Sequence, residues 1–162
     1  MAKRRTRASR PARAGEAPAP AADSAGVRYI ESSALVAALL ERDAAALTSV
    51  RTKGRQVTSA LTIAEAARAI LRARAAARLT SDEERAAVRA LRRFERRGYM
   101  VAVTDAVLAR VRRPFPVEPV RTLDAVHLAT AELLGEPPQL VTVVTRDGRV
   151  RDNARALGYA VA

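Results

Sequence analysis

From residue 27 onwards, short apolar runs alternate with longer segments in which apolar residues recur at helical spacing. The strand-like runs, of which the fourth is strongly β-branched, lie at 27–30, 56–60, 99–103, 140–145 and 159–161. The helical segments, of which the first is broken or bent before Asp43, begin at Ser33, Thr62, Ser81, Thr104, Thr122 and Gly148. Strands separated by helices predict an α/β fold with a central parallel sheet of about four to five strands, covered by helices on both faces.

Four acidic residues lie where the predicted strands end or where helices begin: Glu31, Glu65, Asp124 and Asp147. In sheets of this kind, binding and catalytic sites form beyond the carboxyl ends of the strands, so these residues are predicted to converge. Carboxylates gathered in one place repel each other unless a hard divalent cation neutralises them. Mg²⁺ binds one or two carboxylates and retains several waters, which leaves positions for a phosphate oxygen and a nucleophilic water. The pattern therefore predicts a phosphodiesterase site.

Each of these acids also has a purely structural interpretation. Glu65 follows Thr62 at the spacing of an S/T-x-x-E capping box. Asp124 falls in a first helical turn, where the helix dipole favours an acid, and Asp147 precedes a glycine and suits a turn. Glu31 is compatible with an ordinary solvated strand end. A basic α/β domain whose acids are only caps and turn residues therefore stays open as an alternative.

Charge and composition narrow the classes of partner. The net charge is +12, from 29 Lys and Arg against 17 Asp and Glu, which favours polyanions such as nucleic acid, although the codon usage of a GC-rich genome also explains part of the excess. The length of 162 residues suits one domain over 27–162, preceded by a disordered basic Ala/Pro-rich arm at 1–26. The absence of cysteine excludes disulfides and thiolate chemistry and fits the cytoplasm, and no apolar run is long enough to span a membrane.

Arginines are concentrated on one predicted helix and beside one of the acids. The helix beginning at Ser81, where Glu84 has capping-box spacing, presents either a solvated face with Glu–Arg pairs or a surface for RNA or a partner. Arg121 lies three residues before Asp124 and is the better candidate for binding a phosphate. The arginines of the helix are Arg85, Arg89, Arg92, Arg93, Arg96 and Arg97.

Four segments of the chain resemble those of one protein family. The most specific is 121–131, RTLDAVHLATA, which resembles the LDA-hydrophobic-HLA segment of PIN-domain toxins. The other three resemble the remaining segments of that family in the right order: YIESSALV at 29–36, SALTIAE at 59–65, and VTRD at 144–147 with ARALG at 154–158. Residues 27–162 thus resemble a VapC-type ribonuclease, the toxin half of a type II toxin–antitoxin pair.

This resemblance implies a PIN-like three-layer α/β/α fold and cleavage of RNA by a water that Mg²⁺ or Mn²⁺ activates. It implies Glu31 and Asp124 as direct metal ligands, and Glu65 and Asp147 as ligands bound directly or through water. Ser33 and Thr145 would hydrogen bond behind them, and His127, the only histidine, would have a packing or hydrogen-bonding role rather than act as a general base. It further implies RNA as substrate, a cognate antitoxin as partner, a homodimer and a cytoplasmic location.

One departure from the family's pattern affects the predicted activity. The family usually has Asp where this chain has Glu31. The extra methylene moves the carboxylate by about 1–1.5 Å, whereas Mg²⁺ requires near-octahedral ligands at about 2.1 Å. Either the strand shifts, or Mn²⁺ is preferred, or the chain is a catalytically weakened PIN domain that binds RNA or a protein.

Overall fold

The computed structural model describes residues 26–41 and 43–162, so the predicted basic arm lies, except for Gly26, outside the described residues. The strands are β1 (Val27–Ile30), β2 (Arg55–Ser59), β3 (Tyr99–Val101), β4 (Val141–Val144) and β5 (Ala160–Val161). The helices are α1 (Ser32–Leu40), α2 (Ala44–Arg51), α3 (Ala60–Ala75), α4 (Ser81–Arg97), α5 (Asp105–Val111), α6 (Thr122–Glu132) and α7 (Gly148–Ala156). A short 3₁₀ turn at Pro138–Leu140 precedes β4.

The five strands form one parallel sheet in the order β3-β2-β1-β4-β5. The central strand β1 pairs with β2 on one side and with β4 on the other, so Tyr29 is opposite both Val57 and Val143. From β1 the chain first builds outwards through β2 and β3, and then returns to build β4 and β5 on the opposite side. The strand order therefore reverses between β1 and β4, which is where α/β sheets open a crevice for a ligand. The α/β fold class predicted from sequence is confirmed.

Two apolar clusters cover the two faces of the sheet. Because successive strand residues point to opposite faces, Tyr29 and Val143 pack in one cluster, while Ile30 and Val144 pack in the other. The first cluster includes residues of α5, α6 and α7, and the second includes residues of α1, α3 and α4. This arrangement gives the three-layer architecture. Within the described residues, no helix is long and apolar enough to cross a membrane.

Several helix starts differ from the sequence prediction. The segment predicted to run from Ser33 to about residue 50 is two helices, and Asp43 caps the second by accepting a hydrogen bond from Ala46 N at 2.9 Å. Ser33, which the sequence predicts as the cap of α1, lies inside this helix, because α1 begins at Ser32 with Glu31 as its N-cap. The break before Asp43 was predicted, but the capping role of Glu31 was not.

The predicted capping box of α3 is wrong. This helix begins at Ala60 with Ser59 as its N-cap, so Thr62 and Glu65 lie inside the helix and neither caps it. The hydroxyl of Thr62 instead receives a hydrogen bond of 2.7 Å from Thr58 on β2. A capping box does occur at α4, but it joins Thr80 and Glu83, one residue before the predicted pair.

Candidate active site

Glu31 is the residue directly after the central strand β1, and it is only 3% exposed. Its Oε1 accepts hydrogen bonds from Ser32 Oγ at 2.6 Å and from Ser33 N at 3.0 Å. Its Oε2 accepts from Ser33 N at 3.0 Å, from Thr145 Oγ1 at 2.8 Å, and from Ser33 Oγ. Both carboxylate oxygens are therefore surrounded by donors from the start of α1 and the end of β4.

The loop after β4 fixes the direction of two of these hydrogen bonds. Ser33 Oγ accepts from Arg146 N at 2.8 Å and from Asp147 N at 3.0 Å, and Thr145 Oγ1 also accepts from Asp147 N at 3.0 Å. Since backbone N–H groups can only donate, each hydroxyl remains free to donate its own hydrogen to Glu31. The structure thus brings Ser33 and Thr145 to Glu31 across the point where the strand order reverses.

A second set of hydrogen bonds holds Glu65 through His127, which is 1% exposed. His127 Nε2 lies 2.7 Å from Glu65 Oε2, and His127 Nδ1 lies 3.1 Å from the hydroxyl of Tyr29. Burial raises the pKa of Tyr29, so this hydroxyl stays protonated and can donate to Nδ1. An ionised carboxylate only accepts, so we assign a ring hydrogen to Nε2. His127 therefore connects the sheet to a predicted site acid, in keeping with a hydrogen-bonding role.

The surroundings of Glu65 favour its ionised form. Burial opposes ionisation, but the hydrogen bond and attraction from His127, a hydrogen bond from Ser32 and the charge of Arg72 outweigh it. The net result is a pKa below the ordinary glutamate value. The hydroxyl of Ser32 lies between Glu31 and Glu65, and His127 Nε2 is also 3.8 Å from Glu31 Oε1. The two acids are thus linked by shared neighbours.

The surroundings of Asp124, unlike those of Glu65, disfavour its ionised form. It lies in the first turn of α6, as predicted, and burial raises its pKa. The negative charges of Asp147 and Glu31 raise it further, while Arg121, exposed at the N-cap of the helix, lowers it. Its Oδ2 is buried and has no hydrogen-bond partner among the described residues. An unpartnered carboxylate oxygen near two other acids is an environment that a cation would stabilise.

Asp147 combines a capping role with proximity to Asp124. Its Oδ1 accepts from Arg149 N at 2.7 Å and from Val150 N at 3.2 Å, which caps α7. The preceding Arg146 donates from Nε to Asp43 Oδ2 at 3.0 Å and so ties this loop to the start of α2. Sequence reasoning missed Asp43, Arg146 and the hydroxyl of Ser32, because their partners are remote in sequence or are themselves site residues.

The candidate site has the oxygen donors that a divalent cation prefers, but its carboxylates are not positioned around a common point. Within residues 26–41 and 43–162, no group of three or more His, Asp or Glu side chains stands ready to hold a metal ion. The unpartnered Oδ2 of Asp124, with Asp147 and Glu31 near enough to raise its pKa, is the feature that fits. The oxygen donors are of the type that Mg²⁺ and Mn²⁺ bind. Binding a cation at Asp124 therefore requires side chains to move towards it.

The arginine-rich helix α4 is compatible both with a solvated face of Glu–Arg pairs and with a surface that binds RNA or a partner. Arg85 pairs with Asp82, and Glu84 pairs with Arg74 of α3 at 3.3 Å, as a solvated face would. The other five arginines of α4 are exposed and have no ion pair within the described part of the chain: Arg89, Arg92, Arg93, Arg96 and Arg97.

Comparison with known proteins defines the class to which this fold and site belong. Residues 28–156 match the family model described as "PIN domain", and the chain therefore belongs to the PIN-domain family. Among curated proteins of Mycobacterium tuberculosis (strain ATCC 25618 / H37Rv), it is 39% identical over 141 residues to "Ribonuclease VapC35". This match covers 82% of this chain and 93% of that protein. It is also 40% identical over 135 residues to "Ribonuclease VapC46", covering 82% and 94%.

A solved structure supports the fold independently. The crystal structure of PAE2754 from Pyrobaculum aerophilum superposes with a TM-score of 0.52 at 22% sequence identity. The match covers 84% of this chain and 97% of that chain. The PIN-like three-layer fold predicted from the four sequence segments is thus confirmed, as is the resemblance to VapC-type proteins.

Proposed function

We propose that this chain is a metal-dependent endoribonuclease of the VapC type and the toxin of a toxin–antitoxin pair. The observation that carries the proposal is the buried, unpartnered Oδ2 of Asp124, close to Asp147 and Glu31, at the reversal point of a PIN-domain sheet. The curated relatives, which match over most of their length, are ribonucleases by name and support RNA as the substrate. The net charge of +12 also favours a polyanionic substrate.

Each candidate residue would have a separate role in phosphodiester cleavage. Asp124 would hold the cation together with Asp147 and Glu65, and the resemblance adds Glu31 to this set. A bound Mg²⁺ or Mn²⁺ would supply a water of lowered pKa and neutralise charge on the phosphate. Glu65, which its neighbours keep ionised, is suited to orient a water or accept its proton, because His127 occupies only one of its oxygens. Exposed Arg121 would donate hydrogen bonds to a phosphate.

A second candidate function is favoured by the state of Glu31. Its carboxylate is engaged by donors on both oxygens, and the described acids do not form a ready metal cluster. A PIN domain whose metal site is weakened in this way would bind RNA or a protein without cutting. The sheet, the caps and the basic surface would all persist in such a protein.

The partners follow from the same proposal. A cognate antitoxin protein would bind this toxin and hold it inactive, and a homodimer would place two sites along one RNA. The cytoplasm is the compartment in which such a toxin meets its RNA. Copurification with the product of a neighbouring gene and the molar mass in solution test the two protein partners separately.

The test is cleavage of a mixed pool of structured RNA by the purified protein in Mg²⁺ or Mn²⁺, with EDTA as control. Asp124→Asn is expected to lower the rate by about 100-fold or more, because it removes a metal-binding charge. Asp105→Asn is the matched control, since Asp105 is also a first-turn acid, in α5, but is exposed and lies outside the site.

Cleavage that persists in EDTA, or that falls equally in the two variants, would refute the metal-dependent mechanism. Tight RNA binding without cleavage by the wild type would instead favour the binding-module alternative.

A further inference from the structure

The hydrogen bonds around Glu31 engage both oxygens of its carboxylate. An ionised carboxylate offers about four lone-pair sites. Four donor groups point at this one: the hydroxyl of Ser32, the N–H and hydroxyl of Ser33, and the hydroxyl of Thr145. The group is also buried. A cation could therefore reach these oxygens only by displacing donors that are already in place.

The donors of Ser33 and Thr145 have few alternatives to Glu31, the 3.2 Å contact between their own hydroxyls being one. Ser33 N is one of the first N–H groups of α1, which have no partner inside the helix. The hydroxyls of Ser33 and Thr145 receive backbone N–H groups from Arg146 and Asp147, so their own hydrogens are directed at Glu31. Losing Glu31 would leave several buried donors unsatisfied at once.

Asp124 contrasts with Glu31 in its donors. Its Oδ2 is buried and has no hydrogen-bond partner among the described residues. A carboxylate that the protein surrounds with donors is satisfied without a metal, whereas a buried carboxylate oxygen without a donor is stabilised by an added cation.

We infer that Glu31 is a positioning residue in this chain, which joins β1, α1 and the loop after β4, and that it does not ligate the cation. The inference rests on the proposed function and departs from the ligand role that the resemblance implies for this position. Glu31 acts through Thr145 and Ser33, which fix the backbone of Asp147 beside Asp124. Asp124 is then the principal ligand of the cation, and Glu31 positions Asp147 beside it.

The experiment compares Glu31→Gln with Asp124→Asn in the full chain. Unfolding by urea is measured in EDTA, Mn²⁺ binding by calorimetry, and RNA cleavage as separate kcat and KM values. Glutamine keeps the length of Glu31, but its amide nitrogen cannot accept hydrogen bonds. Glu31→Gln is therefore expected to lower metal-free stability and kcat, while the Kd for Mn²⁺ and the KM for RNA change by less than about fivefold. Asp124→Asn is expected to raise metal-free stability and abolish Mn²⁺ binding.

If Glu31 were a direct ligand, Glu31→Gln would weaken Mn²⁺ binding and would not lower the metal-free stability. If Glu31→Gln weakens Mn²⁺ binding by more than about fivefold, or leaves metal-free stability unchanged or higher, the inference is overturned. A kcat that does not fall in the folded variant also overturns it, because a purely structural role would leave kcat intact. If Glu31→Gln does not fold, Glu31→Asn, which also removes the charge but is a favoured N-cap, replaces it in all three measurements under the same limits.

Failure of the proposed function itself would look different. In that case neither the wild type nor the control Asp105→Asn would bind Mn²⁺ or cut RNA, and the inference about Glu31 would fall with it. If the wild type binds Mn²⁺ and cuts RNA normally but Glu31→Gln loses most of its Mn²⁺ affinity, the inference about Glu31 is wrong. The proposed function is then unaffected.

Discussion

Replacing His127 by alanine would remove the buried ring that joins the sheet to Glu65. The variant loses the hydrogen bond of 2.7 Å to the carboxylate of Glu65 and that of 3.1 Å to the hydroxyl of Tyr29. Tyr29 is itself 1% exposed, so its hydroxyl would keep only its neighbours other than His127, which are Thr130 and the backbone of Ser59. The cavity left by the ring adds a further cost.

These contributions set the expected magnitude. A hydrogen bond to a charged group contributes about 1.5–3 kcal/mol, and the neutral hydrogen bond between the ring and the hydroxyl of Tyr29 contributes about 0.5–1.5 kcal/mol. Together with the cavity, His127→Ala is expected to lower the free energy of unfolding by about 3–5 kcal/mol. With a urea dependence of about 2 kcal/mol per molar, the unfolding midpoint would fall by about 2 M. That is a large part of the total stability of about 5–15 kcal/mol that is usual for a domain.

Urea unfolding in EDTA, followed by circular dichroism, measures this difference, and two further variants separate its parts. Tyr29→Phe removes only the hydroxyl and is expected to cost about 1–1.5 kcal/mol. His127→Gln keeps an N–H that can reach Glu65 and is expected to recover about half of the loss. If His127→Ala costs less than about 1 kcal/mol, or if its effect simply adds to that of Tyr29→Phe, the three side chains do not form the connected unit described above.

Two further predictions concern charge. Because the folded-state pKa of Glu65 lies below its ordinary 4.5, its ionised form stabilises the fold above that value, and this stability is lost as pH falls through the folded pKa. The free energy of unfolding should therefore fall more between about pH 6 and pH 3 in wild type than in Glu65→Gln. Asp43→Ala removes both the cap at Ala46 N and the ion pair with Arg146, and should cost about 1–2 kcal/mol by urea unfolding, against less than about 1 kcal/mol for Arg146→Ala.

Each of these two predictions has a control within the chain. Glu95→Gln replaces an exposed acid of α4 and should follow the wild-type pH profile. Parallel pH profiles for wild type and Glu65→Gln would contradict the lowered pKa. An equal loss in Asp43→Ala and Arg146→Ala would mean that the ion pair, and not the cap, stabilises this junction.

The order of elements could be predicted from sequence because its signals are local. Alternation of apolar runs, helical spacing and turn residues each depend on a few neighbouring positions, and these correctly gave five strands and a parallel sheet. Helix starts were less predictable, because they depend on where the preceding strand ends. β2 ends at Ser59, so α3 begins before Thr62, and the capping-box signal at Thr62 and Glu65 is overridden.

In the candidate site, too, the features with local sequence signals could be predicted and those that depend on remote residues could not. Strand ends could place Glu31 and Asp147 near each other, and the family resemblance selected the four acids. The local interpretation of their roles was reversed, however, because Glu31 and Asp147 cap helices while Glu65 does not. The pairing of His127 with Tyr29 could not be predicted, since it joins β1 to α6 across 98 positions of sequence. The hydrogen bond of Ser32 to the adjacent Glu31 could not be predicted either, because it depends on the side-chain conformation that Glu31 adopts as a helix cap.

The pairing of β1 with β4 has a consequence for how the protein is made. Thr145 reaches Glu31 across 114 positions of sequence, so the pocket stays incomplete while ribosomes are still adding residues 141–161. Until then β1 has β2 on one side and an open edge on the other. A nascent chain released at residue 140 should therefore bind no Mn²⁺ and cut no RNA, which pulse-labelled truncations can check. The candidate site of this ribonuclease would therefore form only after its last two strands have been made.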